Sequence, residues 1–267
     1  QLAHAGRKAS SHTPWDGGQL IPVAEGGWIP EGPSNVPHKA EETPPLALDA
    51  AGLKRIVDAF VASTKRAERL GLDAIEVHSA HGYLLHQFLS PISNKRTDQY
   101  GGSLQNRIRF PLEVFEAVRA TFPQSKPVGL RVSATDWVEG GWDIEQTIEF
   151  ARELKQRHVD WIDVSSGGVS PQQKIPLGPG YQVPLAQAVK EATGVVTMAV
   201  GLITEAKQAE EIVASGKADM VALARGMLYD PRWGWHAAAE LGGQVSAPPQ
   251  YWRSQPSTQK ALFGATT

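Results

Sequence analysis

Residues 74–83 read AIEVHSAHGY, and this stretch sets the pattern for most of the chain. A short apolar run rich in β-branched residues ends in small and polar residues and leads into a helical stretch. The pattern recurs in four later runs, over 128–134, 161–167, 195–201 and 220–226. Apolar runs that alternate with helical periodicity are typical of a parallel β-sheet covered by helices. The sequence therefore predicts an α/β fold built from strand–helix units.

The number of these units predicts an incomplete barrel. Five runs, preceded by the end of another strand over 1–5, correspond to about strands 4 to 8 and the end of strand 3 of a (β/α)8 TIM barrel. An open doubly wound sheet is the alternative, but the sequence has no G-x-G-x-x-G turn to support it. We expect one partial barrel domain over 1–267, with an excursion or lid loop over 10–48 and a docked C-terminal tail over 248–267.

Composition argues against several classes of function. The formal net charge is −2, and the lysines and arginines are dispersed, so we expect neither nucleic acid nor a membrane as a partner. No apolar run approaches the length of a transmembrane helix, and the first residues lack a signal-peptide core. The absence of cysteine excludes disulfides and thiolate metal ligands within the chain. We expect a cytoplasmic protein.

The residues that end the first run are the strongest candidates for chemistry. In parallel barrels the active site lies at the carboxyl ends of the strands, where this run carries His78, His81 and Tyr83. Two imidazoles can donate hydrogen bonds to one substrate oxygen, and a phenol can supply a proton. Two structural histidines are the alternative. A metal site has little support, because no acidic ligand follows at helical spacing and no cysteine is present.

Three further strands carry candidates for binding an anionic cofactor. Arg131 interrupts an apolar run, where a guanidinium is costly unless an anion, a polar ring or a buried salt-bridge partner faces it. The last two runs end in small residues, with Gly201 after one and Ala224 and Arg225 after the other. Small residues let backbone N–H groups approach a phosphate, and barrels frequently bind phosphate after strands 7 and 8. These positions indicate a phosphate-bearing cofactor.

The same segments carry a family resemblance. Three of them resemble the Old Yellow Enzyme family: QLAHAGR over 1–7, HSAHGY over 78–83, and LLHQFLSPISNKRTDQYGGSLQNRIRF over 84–110. Four later segments resemble its thermophilic-like subgroup: RVSATDW over 131–137, AVGLIT over 199–204, ARG over 224–226, and QYWR over 250–253. The resemblance extends over essentially the whole chain.

The resemblance implies a cofactor set and a reaction. FMN would bind noncovalently at the top of the barrel, NADPH or NADH would reduce it, and the substrates would be activated alkenes such as enones, enals, maleimides and nitroalkenes. Gln1 would hydrogen-bond the pyrimidine edge of the flavin, and Arg131 would lie near N1 and O2, where a cation stabilises the reduced flavin. The phosphate would be held by Gly201, Ala224 and Arg225.

The resemblance also implies how substrate binds and how the enzyme assembles. His78 and His81 would grip the substrate carbonyl oxygen, and Tyr83 would protonate the α carbon after hydride transfer from flavin N5 to the β carbon. Arg253 would reach across a two-fold contact into the neighbouring active site, so the protein would be a homodimer or homotetramer. The alternative is a surface arginine that packs its stem on Trp252.

In the family, the first two strands and most of the third precede the position that matches Gln1. We therefore expect a complementing chain or segment to supply the remaining strands. Two other functions stay open: a non-catalytic barrel fragment that needs such a segment, and a related flavin dienoyl reductase. Flavin binding would exclude the non-catalytic fragment, and the absence of any iron–sulfur motif in the sequence disfavours the dienoyl reductase.

Overall fold

The protein is described by a computed structural model that covers residues 1–264. Its centre is a five-stranded parallel sheet in which the strands follow each other in chain order, β3-β4-β5-β6-β7, and two small parallel pairs, β1-β2 and β8-β9, lie outside it. The strands in this range are β1 (Glu31–Gly32), β2 (Leu46–Ala47), β3 (Ile75–Ser79), β4 (Val128–Ser133), β5 (Trp161–Ser165), β6 (Thr197–Val200), β7 (Met220–Ala222), β8 (Val245–Ser246) and β9 (Phe263–Gly264).

Helices connect consecutive strands of the central sheet. The α-helices are α1 (Ala50–Arg69), α2 (Leu84–Leu89), α3 (Leu104–Thr121), α4 (Ile144–Gln156), α5 (Val183–Thr193), α6 (Ala206–Ala214), α7 (Arg225–Tyr229) and α8 (Trp233–Glu240), and 3-10 helices cover Gly6–Lys8, Pro14–Asp16, Val23–Glu25 and Pro249–Ser254. Side-chain caps begin several of them: Asp49 accepts from the Gly52 N–H at 2.7 Å, and Asp143 from the Gln146 N–H at 2.9 Å. No helix in the described range is long and apolar enough to cross a membrane.

The two faces of the central sheet differ in polarity. One face is apolar and packs against the helices, with Val77, Leu130 and Val164 fully buried. Because side chains alternate along a strand, the neighbouring residues Glu76 and Arg131 lie on the opposite face, which is polar. Polar side chains on a partly buried sheet face need hydrogen-bonding or ionic partners, so this face is the expected location of a binding site.

The first residues of the chain extend this sheet beyond β3. Leu2 forms a parallel bridge with Val77, its N–H donates to the Glu76 carbonyl, and its carbonyl accepts from the His78 N–H, both at 2.8 Å. The predicted α/β fold with a parallel sheet is confirmed. The place of this sheet in an incomplete eight-stranded barrel stays a prediction.

The segment predicted as an excursion loop over 10–48 contains short elements of its own, including β1 and β2. Two arginines hold it against the sheet end. Arg7 Nη1 donates to the Val36 carbonyl at 3.1 Å, and Arg96 Nη1 donates to the Pro33 carbonyl at 3.0 Å. Two tryptophans of the segment stay exposed, and its role as a lid remains a prediction.

The segment predicted as a C-terminal tail contacts α8 through aromatic rings. Trp235 of α8 packs edge-on against Tyr251 and Phe263, with ring centroids 5.4 and 5.0 Å away. The Arg232 guanidinium lies 4.3 Å from the centroid of the Tyr251 ring. These contacts involve the residues up to 264, whereas residues 265–267 of the predicted tail lie outside the described residues.

Candidate active site

The turn between β3 and α2 brings three rings together. His78 lies in β3, His81 in the turn, and Tyr83 at the N-cap of α2. The centroid of the His78 ring is 5.1 Å from that of His81 and 5.2 Å from that of Tyr83. The structure thus forms one cluster from the three residues that the sequence singled out.

The cluster depends on an unusual backbone. His81 and Gly82 both have left-handed φ angles, 57° and 73°, and this reverses the chain within two residues. Gly82 must be glycine, because a Cβ there would lie 2.1 Å from the Gly168 carbonyl oxygen. The His81 N–H donates to Ser133 Oγ at 2.9 Å, which ties the turn to the neighbouring strand β4.

The two histidines are neutral at physiological pH. Burial lowers the pKa of His78 to about 4 and that of His81 to about 3, and the charge of Arg131 adds to both effects. A neutral imidazole has one donor and one acceptor nitrogen. His81 Nε2 lies 2.7 Å from Ser165 Oγ, whereas the buried His78 Nδ1 has no hydrogen-bond partner among the described residues. The cluster therefore retains unused hydrogen-bonding capacity.

Arg131 lies beside the cluster, since it pairs with His78 in the β3–β4 register. Its Nε is 2.9 Å from Oδ2 of Asp163 on β5, but the N–H does not point at that oxygen, so the contact is an ion pair without a hydrogen bond. Within residues 1–264 the guanidinium makes no hydrogen bond, and Asp163 Oδ1 is buried without a partner. The salt bridge that sequence analysis left open is present, yet most of the donor capacity of Arg131 is unused.

Gln1 is tied to the polar face of the same sheet. Its Nε2 donates to Glu76 Oε1 at 2.6 Å, and Trp161 Nε1 donates to the other carboxylate oxygen of Glu76 at 2.9 Å. Gln1 itself is exposed at the outer edge of the sheet. Gln1 therefore contacts Glu76 on the same polar sheet face that carries Arg131.

A separate cavity follows β6 and β7. It has a volume of about 200 Å³, and its lining includes Gly201, Ala224, Arg225 and Gly226. Gly201 has a φ of 121°, a backbone conformation that favours glycine, and a Cβ there would lie 2.7 Å from Gln182 Nε2. The structure brings together the three residues predicted to hold phosphate.

Arg253 belongs to the C-terminal part of the chain. It is exposed in the 3-10 helix Pro249–Ser254, and no hydrogen bond or ion pair joins it to His78, His81 or Tyr83 in the described part of the chain. Its predicted role in a neighbouring subunit stays a prediction. Within residues 1–264, no group of three His, Cys, Asp or Glu side chains could hold a metal ion.

Sequence analysis missed two residues that contact the cluster and one that contacts Arg131. Lys8 Nζ lies 5.3 Å from the centroid of the Tyr83 ring and donates to the His81 carbonyl at 3.0 Å. Ser165 contacts His81, and Asp163 contacts Arg131. The alternation of polar residues within WIDVS was the available signal, because an acidic residue inside an apolar strand needs a cationic partner.

Comparison with known proteins identifies relatives of this chain. The sequence model of the NADH:flavin oxidoreductase / NADH oxidase family matches residues 1–243. An NADPH dehydrogenase of Geobacillus sp. (strain WCH70) is 43% identical over 253 residues, which cover 95% of this chain and 69% of the dehydrogenase.

Two solved structures share the fold. A 2-naphthoyl-CoA reductase complex matches with a TM-score of 0.77 and 26% identity over 91% of this chain and 37% of that chain. Morphinone reductase matches with a TM-score of 0.66 and 28% identity over 90% of this chain and 64% of that chain. The chain thus spans less than two thirds of either solved chain.

The predicted family resemblance, the oxidoreductase class and the flavin and nicotinamide cofactors are confirmed at the level of the family. The chain belongs to the NADH:flavin oxidoreductase / NADH oxidase family.

Proposed function

We propose that this chain is the FMN- and substrate-binding part of an NAD(P)H-dependent reductase of activated C=C bonds. The observation that carries the proposal is the cluster of His78, His81 and Tyr83 beside the underused guanidinium of Arg131, all at one end of a polar sheet face. Enones, enals, maleimides and nitroalkenes share an electron-withdrawing group with an oxygen that neutral imidazole donors can bind.

We infer that the sheet is part of a (β/α)8 barrel and that residues 1–267 form a single, partial domain of it. The sequential parallel order of β3 to β7 and the bridge from Leu2 to β3 support strands 4 to 8 and the end of strand 3. A polar face with a buried carboxylate and guanidinium also suits the inside of a barrel. A complementing segment or chain would then pair with the outer edge at Leu2 and with β7.

The residues present fit FMN. Arg131 has unused N–H groups for the flavin ring, and Gly201 and Arg225 line a cavity of about 200 Å³ at the strand ends, where phosphate is commonly bound. Ala224 adds no bulk there, and Gln1 would contact the pyrimidine edge from the sheet edge. When bound, FMN supplies the hydride that NADPH or NADH has delivered to it.

The protein's own residues then handle the substrate oxygen and a proton. His78 and His81, both neutral because burial lowers their pKa values, donate N–H hydrogen bonds to the oxygen and withdraw electron density from the alkene. Tyr83 gives its phenolic proton to the α carbon. Arg253, from a neighbouring subunit of a homodimer or homotetramer, would close the pocket.

A flavin titration tests the proposal. We expect the purified chain, alone or with the preceding segment of a related NADPH dehydrogenase, to bind FMN, to lose the visible flavin absorbance with NADPH, and to regain it with cyclohexenone. A chain that binds no flavin under either condition is the non-catalytic fragment instead. If NADPH reduces the flavin but cyclohexenone does not reoxidise it, the proposal that the substrate is an activated alkene is contradicted.

The phosphate site has a matched control. Riboflavin carries the same ring system as FMN but no phosphate. We expect Arg225→Ala to weaken FMN binding roughly tenfold or more, as for a lost charge-assisted hydrogen bond, and to leave riboflavin binding unchanged. Equal weakening of both ligands would remove Arg225 from the phosphate site.

A further inference from the structure

The turn that carries His81 and Gly82 is stabilised by hydrogen bonds between side chains and its backbone. The His81 N–H donates to Ser133 Oγ at 2.9 Å, the Gly82 N–H donates to His86 Nδ1 at 2.8 Å, and the Gly82 carbonyl accepts from Gln87 Nε2 at 2.7 Å. Two consecutive left-handed residues persist only where the surroundings hold them. His86 is therefore connected to the turn without being part of the cluster.

His86 is in turn held by Asp136, and both side chains are completely buried. His86 Nε2 lies 2.8 Å from Asp136 Oδ1, and Asp136 Oδ2 accepts from Ser90 Oγ at 2.6 Å and from the Trp142 N–H at 2.7 Å. Because Nδ1 accepts the Gly82 N–H, its lone pair is free of a proton, so His86 is neutral with its proton on Nε2. The donor of the His86–Asp136 hydrogen bond is thus the imidazole.

Asp136 is the group that keeps His86 in this tautomer. The pKa of the Asp136 carboxyl lies below its ordinary value: burial raises it, whereas the hydrogen bonds that it accepts from His86, Ser90 and Trp142 lower it. A carboxylate only accepts hydrogen bonds, and it therefore requires the Nε2–H form of the imidazole. The other nitrogen is then an acceptor directed at Gly82.

We propose that Asp136 and His86 are positioning residues: through the Gly82 amide they fix the turn that places His81 and Tyr83 for substrate binding and proton transfer. The inference rests on the proposed function and adds two residues that touch neither substrate nor cofactor. The competing explanation is a buried pair that merely stabilises α2. The two explanations can be separated because Nδ1 of His86 contacts Gly82 and Nε2 contacts Asp136.

Two substitutions each retain one half of His86. Asn places an acceptor near the position of Nδ1, so His86→Asn keeps the contact with Gly82 and loses that with Asp136. Gln reaches the position of Nε2, so His86→Gln keeps the contact with Asp136 and loses that with Gly82. Ser90→Ala is the matched control, since it removes a hydrogen bond from Asp136 and leaves the link between His86 and Gly82 intact.

The readouts are amide hydrogen exchange at Gly82 and the affinity of the flavin-loaded chain for 4-hydroxybenzaldehyde, a phenol that fits two imidazole donors. We expect His86→Gln to exchange faster at Gly82 and to bind the phenol roughly tenfold more weakly or worse. His86→Asn and Ser90→Ala should stay close to wild type in both measurements, whatever their thermal stability. Asp136→Asn, which no longer selects the tautomer, should resemble His86→Gln.

Two results would overturn the inference. One is the reverse order, with His86→Asn impaired and His86→Gln normal, which is what a stabilising tie to Asp136 alone predicts. The other is a loss of phenol affinity in Ser90→Ala as large as in His86→Gln. A wild-type chain that binds no flavin refutes the proposed function instead, and exchange at Gly82, which needs neither flavin nor substrate, still decides the role of His86.

Discussion

The buried carboxyl of Asp163 should make the stability of this protein depend on pH in an unusual direction. Its side chain is 5% exposed in β5 and faces Arg131. Its pKa is raised from 3.8 to about 7: burial raises it most, the charge of Arg131 opposes burial, and the charge of Glu76 adds to the increase. Between these two pKa values the folded protein keeps a proton that the unfolded chain releases.

The magnitude follows from linkage. A group whose folded-state pKa is raised stabilises the protein fully below its unfolded value, and the contribution is lost as the pH rises through the folded value. A pKa difference of about 3, at 1.36 kcal/mol for each pKa unit, corresponds to about 4 kcal/mol of unfolding free energy. Asp163→Asn carries no such proton. The variant should therefore gain about 4 kcal/mol relative to wild type between about pH 4 and pH 8.

Urea unfolding of both proteins across this pH range measures the effect. The difference between variant and wild type is needed because His78 and His81, whose pKa values are lowered by burial, act in the opposite direction and destabilise the protein as the pH falls below about 6.5. Asp58→Asn, at an exposed position of α1 that pairs with Lys54, is the matched control. Parallel pH profiles for Asp163→Asn and wild type would refute the raised pKa.

Three further predictions concern the site itself. For Tyr83→Phe, we expect flavin reduction by NADPH to survive and alkene reduction to slow by about 10² to 10⁴, measured by stopped-flow absorbance, and an unchanged oxidative step would exclude Tyr83 as the proton donor. His78→Ala combined with His81→Ala should abolish phenol and enone binding and retain FMN, so normal enone turnover would contradict the assignment. Arg253→Ala should raise the Michaelis constant for the alkene without changing the oligomeric state seen by light scattering, and wild-type kinetics would place Arg253 outside the pocket.

Local patterns were sufficient for the elements of the fold. Each of the five apolar runs forms a strand, because β-branched residues in short runs favour an extended backbone between helices. The positions at which the strands end depend less on local sequence. The run over 220–226 was expected to continue, but β7 ends at Ala222 and α7 begins at Arg225. Backbone pairing with the neighbouring strand β6 sets that limit, and no single run encodes its neighbour's length.

The ring cluster shows the same division within the candidate site. The segment HSAHGY was recognisable because it has two imidazoles and a phenol within six residues. It also contains Gly82, which can adopt the left-handed φ that the turn requires. The residues that stabilise the turn were not recognisable from the sequence. Asp136 and Ser133 come from a different strand–helix unit, and they reach the turn only because β3 and β4 pair in one register.

The sequence by itself determined the family, the order of the strands, and the residue types that can bind an oxygen, a phosphate and a flavin, since these depend on composition and spacing along the chain. The tertiary structure alone decided which charges face each other and which nitrogen of each histidine is free. Arg131 meets Asp163 and His86 meets Asp136 through contacts between residues far apart in sequence. Burial then raises the pKa of Asp163, because desolvation is a property of the packed interior and not of any segment.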